Sequence, residues 1–218
     1  MATTKLDRKR VADTALDLLN EVGLEGLTLR AIAKELDVKA PALYWHFKNK
    51  QALLDEMATE MLRRMSAEFM GRTDGLTWDQ ALTLAMRGLR AHLLRYRDGA
   101  KVYSGTQFTD TSYAAPMEAH LQALVDGGFS ARGAARAWFT AYNYTIGYVI
   151  EEQSTHPSPR AGAEGYDLAA RAERLAGFPL AAGSGEILLA ASDEEFDLAL
   201  RAVLTGIDTV LRPDPQTR

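Results

Sequence analysis

Several residue types and patterns are missing from this 218-residue chain. It contains no cysteine, which excludes disulfide bonds, thiol nucleophiles and cysteine-ligated zinc, and suits a reducing compartment. Its apolar runs are far shorter than the roughly 18 residues that a membrane-spanning helix needs. The residues after Met1 lack the apolar core of a signal peptide. We therefore expect a cytoplasmic protein that does not enter a membrane.

Motifs for catalysis and metal binding are missing as well. No phosphate-binding loop, dinucleotide fingerprint or nucleophile elbow is present, and no two histidines have metal-binding helical spacing. Glu151 and Glu152 form an acidic pair, but adjacent helical residues point in different directions. We expect no catalytic residues, no cofactor and no bound metal. An enzyme remains the alternative class, and turnover of a substrate without DNA binding would favour it.

Positive charge is in slight deficit, with 25 Lys and Arg against 29 Asp and Glu. The deficit is uneven, because residues 1–50 hold nine basic and seven acidic residues, whereas the remainder holds 16 and 22. DNA binding depends on where positive charge lies rather than on its total. An architectural or non-specific DNA-binding protein normally needs a larger positive surplus, so that class fits poorly.

Apolar residues recur at helical spacing along almost the whole chain, and no stretch alternates in the manner of a strand. Helix starts are marked by Asp7 and Ser130 and by the capping boxes Thr77–Gln80 and Ser192–Glu195. We expect the helix after Thr77 to end near residues 98–99. The pattern predicts an all-α protein of about nine to ten helices, with a small head and a helical-bundle body.

Residues 28–47 carry the most specific local pattern. Two short apolar-faced helices are joined at Asp37, a residue that tolerates the left-handed conformation of a tight turn. We expect the seam between the helices to consist of Ile32, Leu36, Val38 and Leu43. Two interpretations fit this spacing. One is an ordinary helical hairpin with a solvated face, and the other is a helix-turn-helix that enters the major groove of DNA.

The outward side chains of this segment suit contacts with DNA. Ala and Pro side chains pack against thymine methyl groups, Tyr and Arg hydrogen-bond to base edges, and Lys, His and Thr hold phosphates. The residues expected to contact DNA are Thr28, Arg30, Lys39, Ala40, Pro41, Ala42, Tyr44, Trp45, His46, Lys48 and Lys50.

The run Leu-Tyr-Trp-His-Phe-Lys-Asn-Lys at residues 43–50, followed by Leu53-Leu54, resembles the TetR family of transcriptional regulators. Within that family, residues 93–106 and 145–153 are similar to the tetracycline-repressor group. The resemblance implies a ligand-responsive regulator, most simply a repressor that a small-molecule inducer releases from double-stranded operator DNA. An activator of the same fold remains an alternative.

The same resemblance implies a domain division. It gives a DNA-binding domain at residues 1–50, with its helix-turn-helix at 28–47, and a ligand-binding and dimerisation domain at 51–218. The homodimer interface is expected from residues 130–153 and 193–212. Two recognition helices are then available for successive major grooves of a palindromic operator.

The resemblance also implies a set of ligand-binding residues. They are Ser66, Ala85, Leu89, Tyr103, Thr106, Gln107, His120, Trp138, Asn143 and Glu151. Tetracycline repressors bind the drug as a magnesium chelate, and Tyr103 stands where a histidine holds that metal. Because a phenol is a poor magnesium ligand at neutral pH, we expect a partly apolar or aromatic inducer other than magnesium-tetracycline. We expect the inducer to act through residues 98–107 on the helix at 50–69.

Overall fold

A computed structural model of the protein describes residues 6–69, 75–156, 165–189 and 192–212. These residues form helices, turns and loops, and no strand occurs among them, which confirms the all-α prediction. The helices are α1 Arg8–Gly26, α2 Leu29–Glu35, α3 Ala40–Tyr44, α4 Lys50–Phe69, α5 Trp78–Leu93, α6 Gly99–Tyr103, α7 Ala114–Asp126, α8 Ala131–Thr155, α9 Leu168–Arg174, α10 Pro179–Leu188 and α11 Asp193–Leu211. The described ranges thus hold eleven helices rather than nine or ten, because α10 lacks a clear apolar stripe and was not predicted.

The chain divides into two compact units. The first unit comprises residues 1–74 and 88–119, and the second comprises residues 75–87 and 120–218. Two of the three boundaries between them fall within α5 and α7, and the third lies before α5. The division at residue 50 that the sequence predicts separates DNA binding from ligand binding rather than two packed units. It stays a prediction.

In the first unit, α1 packs against α4 and α2, and α4 also packs against α6. The Asp7 carboxylate caps α1 by accepting a hydrogen bond from the backbone N–H of Arg10 at 2.8 Å. Gly23 has a φ of 69°, so the regular helix is interrupted where the sequence predicts its end. Helical hydrogen bonding nevertheless resumes and continues to Gly26.

The end of α5 differs from the prediction. The helix ends at Leu93, and the chain turns before Asp98, whose φ of 57° lies in the left-handed region. The Asp98 carboxylate accepts a hydrogen bond from the backbone N–H of Leu24 at 3.0 Å. This contact with the end of α1 fixes the turn, and its sequence separation of 74 residues explains why local pattern did not reveal it.

The core of the second unit lies between the start of α5, the end of α7, and helices α8 and α11. Its buried residues are Leu82, Met86, Leu124, Phe129, Ala134, Ala137, Ala141, Phe196, Leu200, Leu204 and Ile207. Ser130 and Ser192 cap α8 and α11 as predicted. The Tyr144 hydroxyl donates to the Phe196 carbonyl at 2.9 Å, which joins the two helices. None of the described helices has the length and apolar character needed to cross a membrane.

Candidate functional site

The turn between α2 and α3 is formed by short-range hydrogen bonds. Thr28 caps α2, because its hydroxyl oxygen accepts from the backbone N–H of Ala31 at 3.1 Å. At the other end of α2, Asp37 adopts the left-handed conformation with a φ of 53°. The Val38 N–H then donates to the Ala33 carbonyl at 2.9 Å, which closes the tight turn that the sequence predicts.

Helix α3 is held by its inner face and exposes its outer face. Leu43 and Phe47 are buried with Ile32, while Leu36 and Val38 are half-buried, so the expected seam has a fully buried centre and a partly open edge. Burial of these side chains stabilises the pair of helices by the removal of apolar area from water. The short helix is therefore fixed in orientation although it has only five residues.

The outer face contains most of the residues predicted to contact DNA. Tyr44 is 55% exposed and Trp45 is 90% exposed, which is unusual for large aromatic side chains. The other exposed members of the set are Thr28, Arg30, Lys39, Pro41, Lys48 and Lys50. Ala40, Ala42 and His46 are half-buried. The structure thus brings the predicted residues of α3 together on one accessible surface, which we call the recognition surface (residues 39–45).

Lys50 is engaged within the protein. Its Nζ donates to the Leu24 carbonyl at 2.8 Å and so joins the start of α4 to the end of α1. The neighbouring Asn49 caps α4 by accepting from the backbone N–H of Ala52 at 2.9 Å. Lys48, by contrast, is exposed beside the recognition surface, and it is the better candidate for a phosphate contact.

Sequence reasoning missed Arg8, which contacts His46 and Phe47 just after the C-cap of α3. Its Nη1 donates to the His46 carbonyl at 2.8 Å, and its guanidinium carbon lies 4.6 Å from the Phe47 ring centroid. Its Nε donates to the Glu56 carboxylate at 2.8 Å. These partners lie 38 to 48 residues away in sequence, and no local pattern could have identified them.

Five predicted ligand-binding residues lie in the first unit. Tyr103 and Leu89 are buried, and the Tyr103 ring meets that of Phe108 edge to face at 5.6 Å. Thr106 donates its hydroxyl to the Tyr103 carbonyl at 2.8 Å, and the Gln107 N–H donates to the Asp55 carboxylate at 3.1 Å. The Ser66 hydroxyl is buried and has no hydrogen-bond partner within the described part of the chain.

The other five lie in the second unit, where the structure brings two of them together. The His120 ring stacks on that of Trp138, with centroids 4.6 Å apart and an interplanar angle of 19°. His120 Nδ1 is buried without a hydrogen-bond partner in the described ranges, and burial lowers the pKa of this imidazole. Ala85 is half-buried beside the core, whereas Asn143 and Glu151 lie exposed on α8.

Magnesium does not fit the side chains at the position that the resemblance assigns to the metal. Tyr103 offers a phenol, and the Thr106 hydroxyl beside it already donates to a backbone carbonyl. Mg²⁺ prefers carboxylate and water oxygens in octahedral geometry. Within the described residues, no three His, Cys, Asp or Glu side chains are grouped so that they could hold a metal ion.

Two family models match the chain. The model described as "Bacterial regulatory proteins, tetR family" matches residues 11–57, which include α2, α3 and the turn between them. The model described as "Tetracyclin repressor-like, C-terminal domain" matches residues 71–211, well over half of the chain. The chain belongs to the TetR family.

Relatives of this TetR-family protein cover most of its length. It is 44% identical over 151 residues to the tetracycline repressor protein class A from transposon 1721 of Escherichia coli, covering 69% of each chain. A possible TetR-family regulator from Streptomyces coelicolor A3(2) aligns with 37% identity and a TM-score of 0.78, over 94% of this chain and 100% of that one.

Two solved complexes are also similar. TetR class A in complex with 5a,6-anhydrotetracycline and magnesium aligns at 34% identity with a TM-score of 0.64, over 92% of this chain and 96% of that one. BioQ with its double-stranded DNA operator aligns at 27% identity with a TM-score of 0.63, over 94% and 99%. This TetR-family protein is accordingly a ligand-responsive transcriptional regulator and not an enzyme, which confirms the prediction at that level.

Proposed function

We propose that the protein is a homodimeric repressor that binds a palindromic operator and is released by a small, partly apolar inducer other than magnesium-tetracycline. The DNA-binding part of this proposal rests on the recognition surface, which is exposed while Leu43 and Phe47 beneath it are buried. A regulator of this kind acts where the chromosome is, so we also propose a cytoplasmic location.

The recognition surface supports sequence-specific binding more than non-specific attraction. Tyr44 and Trp45 expose aromatic rings with polar edges, and Pro41 offers an apolar patch for a thymine methyl group. Lys39 and Lys48 supply positive charge at the edges of this surface. Arg30, in the first turn of α2, is exposed and able to contact a guanine or a phosphate.

The outer faces of α8 and α11 support dimerisation. Phe139 on α8 and Leu198 and Val210 on α11 are 60%, 53% and 76% exposed, although α8 and α11 pack against each other through their inner faces. The exposure of Val210 places it outside the core of this chain. Exposed apolar residues on two neighbouring helices favour a protein interface, and a two-fold interface presents two heads to a palindrome.

Selection of bound duplexes from a random-sequence pool tests the operator proposal. We expect a palindrome whose half-site centres are about 10–10.5 base pairs, or a multiple of that, apart, because each recognition helix must enter a major groove on one side of the duplex. Recovery of unrelated sequences that bind no better than bulk DNA would contradict the proposal.

The stacked pair of His120 and Trp138 supports an aromatic inducer. Because burial lowers its pKa, the His120 imidazole favours the neutral form, and its Nδ1 has an unmet hydrogen bond in a largely apolar setting. A flat ligand with one polar group would suit such a pair. Within the first unit, Tyr103, Thr106 and Gln107 stay predicted ligand contacts; α6 packs against α4, and the Gln107 N–H donates to the Asp55 carboxylate of α4.

Titration calorimetry with tetracycline and Mg²⁺ tests the exclusion of the chelate, and we expect no micromolar binding. A parallel screen of flat aromatic compounds follows quenching of Trp138 fluorescence, with Trp138→Phe as the control that loses the signal. Tight binding of magnesium-tetracycline, with release of the selected duplex, would overturn the proposed inducer class while leaving the DNA-binding proposal intact.

A further inference from the structure

Arg8, in the first turn of α1, contacts three kinds of group: a carboxylate, a backbone carbonyl and an aromatic ring. Its Nε donates to Oε2 of Glu56 at 2.8 Å, and its Nη1 donates to the His46 carbonyl at 2.8 Å. Its guanidinium also lies over the Phe47 ring, a cation–π geometry. His46 and Phe47 come just after Trp45, the C-cap of α3, so Arg8 contacts the chain at the end of the recognition helix.

Glu56 is the buried partner in this arrangement, with only 4% of the residue exposed. Its Oε2 accepts a second hydrogen bond from the Thr109 hydroxyl at 3.1 Å, and its Oε1 accepts from Nη1 of Arg63 at 3.2 Å. A single carboxylate therefore contacts α1 on one side and, on the other, the segment that follows α6.

The segment after α6 is fixed to α4 by its backbone as well. The Gln107 N–H donates to the Asp55 carboxylate at 3.1 Å, and the Thr109 N–H donates to the Thr59 hydroxyl at 2.9 Å. Residues 107–109 therefore cannot move along α4 without breaking several hydrogen bonds together.

Asp110 adds an ionic contact to the same segment. Arg63 Nη2 donates to Asp110 Oδ2 at 2.5 Å, and Arg63 Nη1 also contacts Glu56 and Glu60. Hydrogen bonds from Ser112 and Arg63 lower the pKa of Asp110 to about 2, so this carboxylate stays charged. Arg63 is thereby shared between the segment and the carboxylate that holds Arg8.

A buried carboxylate is costly unless all its lone pairs have partners. If residues 107–110 shift, Glu56 loses the Thr109 hydroxyl and part of its contact with Arg63, and its contact with Arg8 must compensate. Any movement of Arg8 changes its contacts with His46 and Phe47 at the end of α3. The contacts thus form one continuous chain from the segment after α6 to the recognition helix.

We propose that Glu56 is a positioning residue for the recognition helix α3. It couples the position of the Thr109 hydroxyl to Arg8, and through Arg8 to the end of α3. The inference rests on the proposed function, since it takes α3 as the element that reads DNA. It assigns to Arg8 a supporting role in DNA binding that is distinct from a direct phosphate contact.

A double-mutant cycle between Thr109→Val and Arg8→Gln tests the coupling, because Glu56 is the one side chain among the described residues that accepts hydrogen bonds from both. The protein is the full chain carrying Trp78→Phe and Trp138→Phe, which leaves Trp45 on the recognition surface as its one tryptophan. The probe is a duplex selected from random DNA by the wild-type chain, and quenching of Trp45 reports its binding.

We expect each single substitution to weaken duplex binding, and the double variant to depart from the product of the single effects by about fivefold or more. In the Glu56→Gln background the departure should fall below about twofold. Thr109→Ser keeps the hydroxyl and should restore binding to within about twofold of wild type. If the Glu56→Gln variant does not unfold cooperatively, the test rests on the Thr109–Arg8 double-mutant cycle and on the recovery of binding by Thr109→Ser.

Two controls separate coupling from other causes. Gln122→Ala removes the hydrogen bond that Gln122 Nε2 donates to the Asp126 carboxylate at 2.7 Å on α7, in the second unit, and should leave duplex binding unchanged. Arg8→Gln should also leave the slope of log affinity against log salt unchanged within about half a unit. Loss of a direct phosphate contact would flatten that slope by about one unit and contradict the supporting role.

The outcomes distinguish this inference from the proposed function. A wild-type chain that selects no duplex overturns the proposed function and this inference with it. A chain that selects a duplex, but in which the effects of Thr109→Val and Arg8→Gln multiply within about twofold, overturns the coupling through Glu56 and leaves the proposed function standing.

Discussion

Two aspartates adopt the left-handed backbone region, and different interactions support them. Asp37, with a φ of 53°, forms the exposed turn between α2 and α3. Asp98, with a φ of 57°, precedes α6, and its carboxylate accepts a hydrogen bond from the backbone N–H of Leu24. The conformation costs a non-glycine residue about 1 kcal/mol or more. The Asp98 side chain offsets part of that cost by a tertiary contact.

Glycine substitutions at these positions should therefore have opposite effects. Asp37→Gly removes the strain of a side chain in this region, and we expect unfolding free energy to change by less than about 1 kcal/mol, in the stabilising direction. Asp98→Gly also loses the hydrogen bond to Leu24, and we expect a destabilisation of about 1–2 kcal/mol. Urea unfolding of both variants provides the measurement, and a larger loss at Asp37 than at Asp98 would contradict this explanation.

The stability of the fold should also depend on His92. Burial lowers the pKa of this histidine to about 4, with a smaller contribution from the Arg95 charge, whereas an unfolded histidine titrates near 6.5. The unfolded state therefore takes up the proton first as pH falls. Stability from this group is complete above about pH 6.5 and is lost as pH decreases towards 4. We expect the unfolding free energy of the His92→Gln variant to depend less on pH between about 6.5 and 4 than that of the wild type. A substitution of the exposed His156 by Gln should retain the wild-type pH profile.

At the scale of elements, helix starts could be predicted from sequence because their signals are local. Asp7, Ser130 and Ser192 each accept from a backbone N–H three residues later, which are contacts that spacing alone reveals. The end of α5 could not be predicted, because the turn before Asp98 depends on the remote N–H of Leu24. Features fixed by contacts between residues close in sequence could therefore be predicted, and features fixed by contacts between distant residues could not.

The candidate site shows the same limit. The turn at Asp37 and the exposed face of α3 follow from residues within a single 20-residue segment, so they could be predicted. The contact of Lys50 with the Leu24 carbonyl and the contacts of Arg8 with His46 and Glu56 could not, because they join α1 to later elements.

The recognition element yields a paired prediction about base and phosphate contacts. Arg30→Ala should cost about 1–3 kcal/mol of duplex binding and relax preference at one base pair, whereas Lys48→Ala should weaken all sequences alike and flatten the salt slope by about one unit. Lys50→Ala should chiefly lower the stability of the fold, since its amine is bound to Leu24. Competition binding against single-base variants of the selected duplex measures the first two, and equal loss of preference in both would refute the distinction.

At the scale of the whole molecule, the recognition surface is exposed on the first unit, and apolar residues of α8 and α11 are exposed on the second. The chain carries a net charge of −4, so its attraction to DNA must come from local charge near α3 rather than from the whole protein. Two copies of the recognition surface on one duplex would double that local attraction and supply specificity through their spacing. We therefore propose that the dimer is necessary for operator binding.

Sedimentation velocity of the protein with its selected, fluorescently labelled duplex tests this claim most directly. We predict two chains per palindromic duplex. We also predict that Phe139→Glu, a change on the exposed face of α8, yields a folded single chain with affinity reduced about 100-fold or more, while the exposed Ala172→Glu on α9 behaves as wild type. A single chain that binds the palindrome with full affinity, or a Phe139→Glu variant that still binds as a pair, would contradict the account.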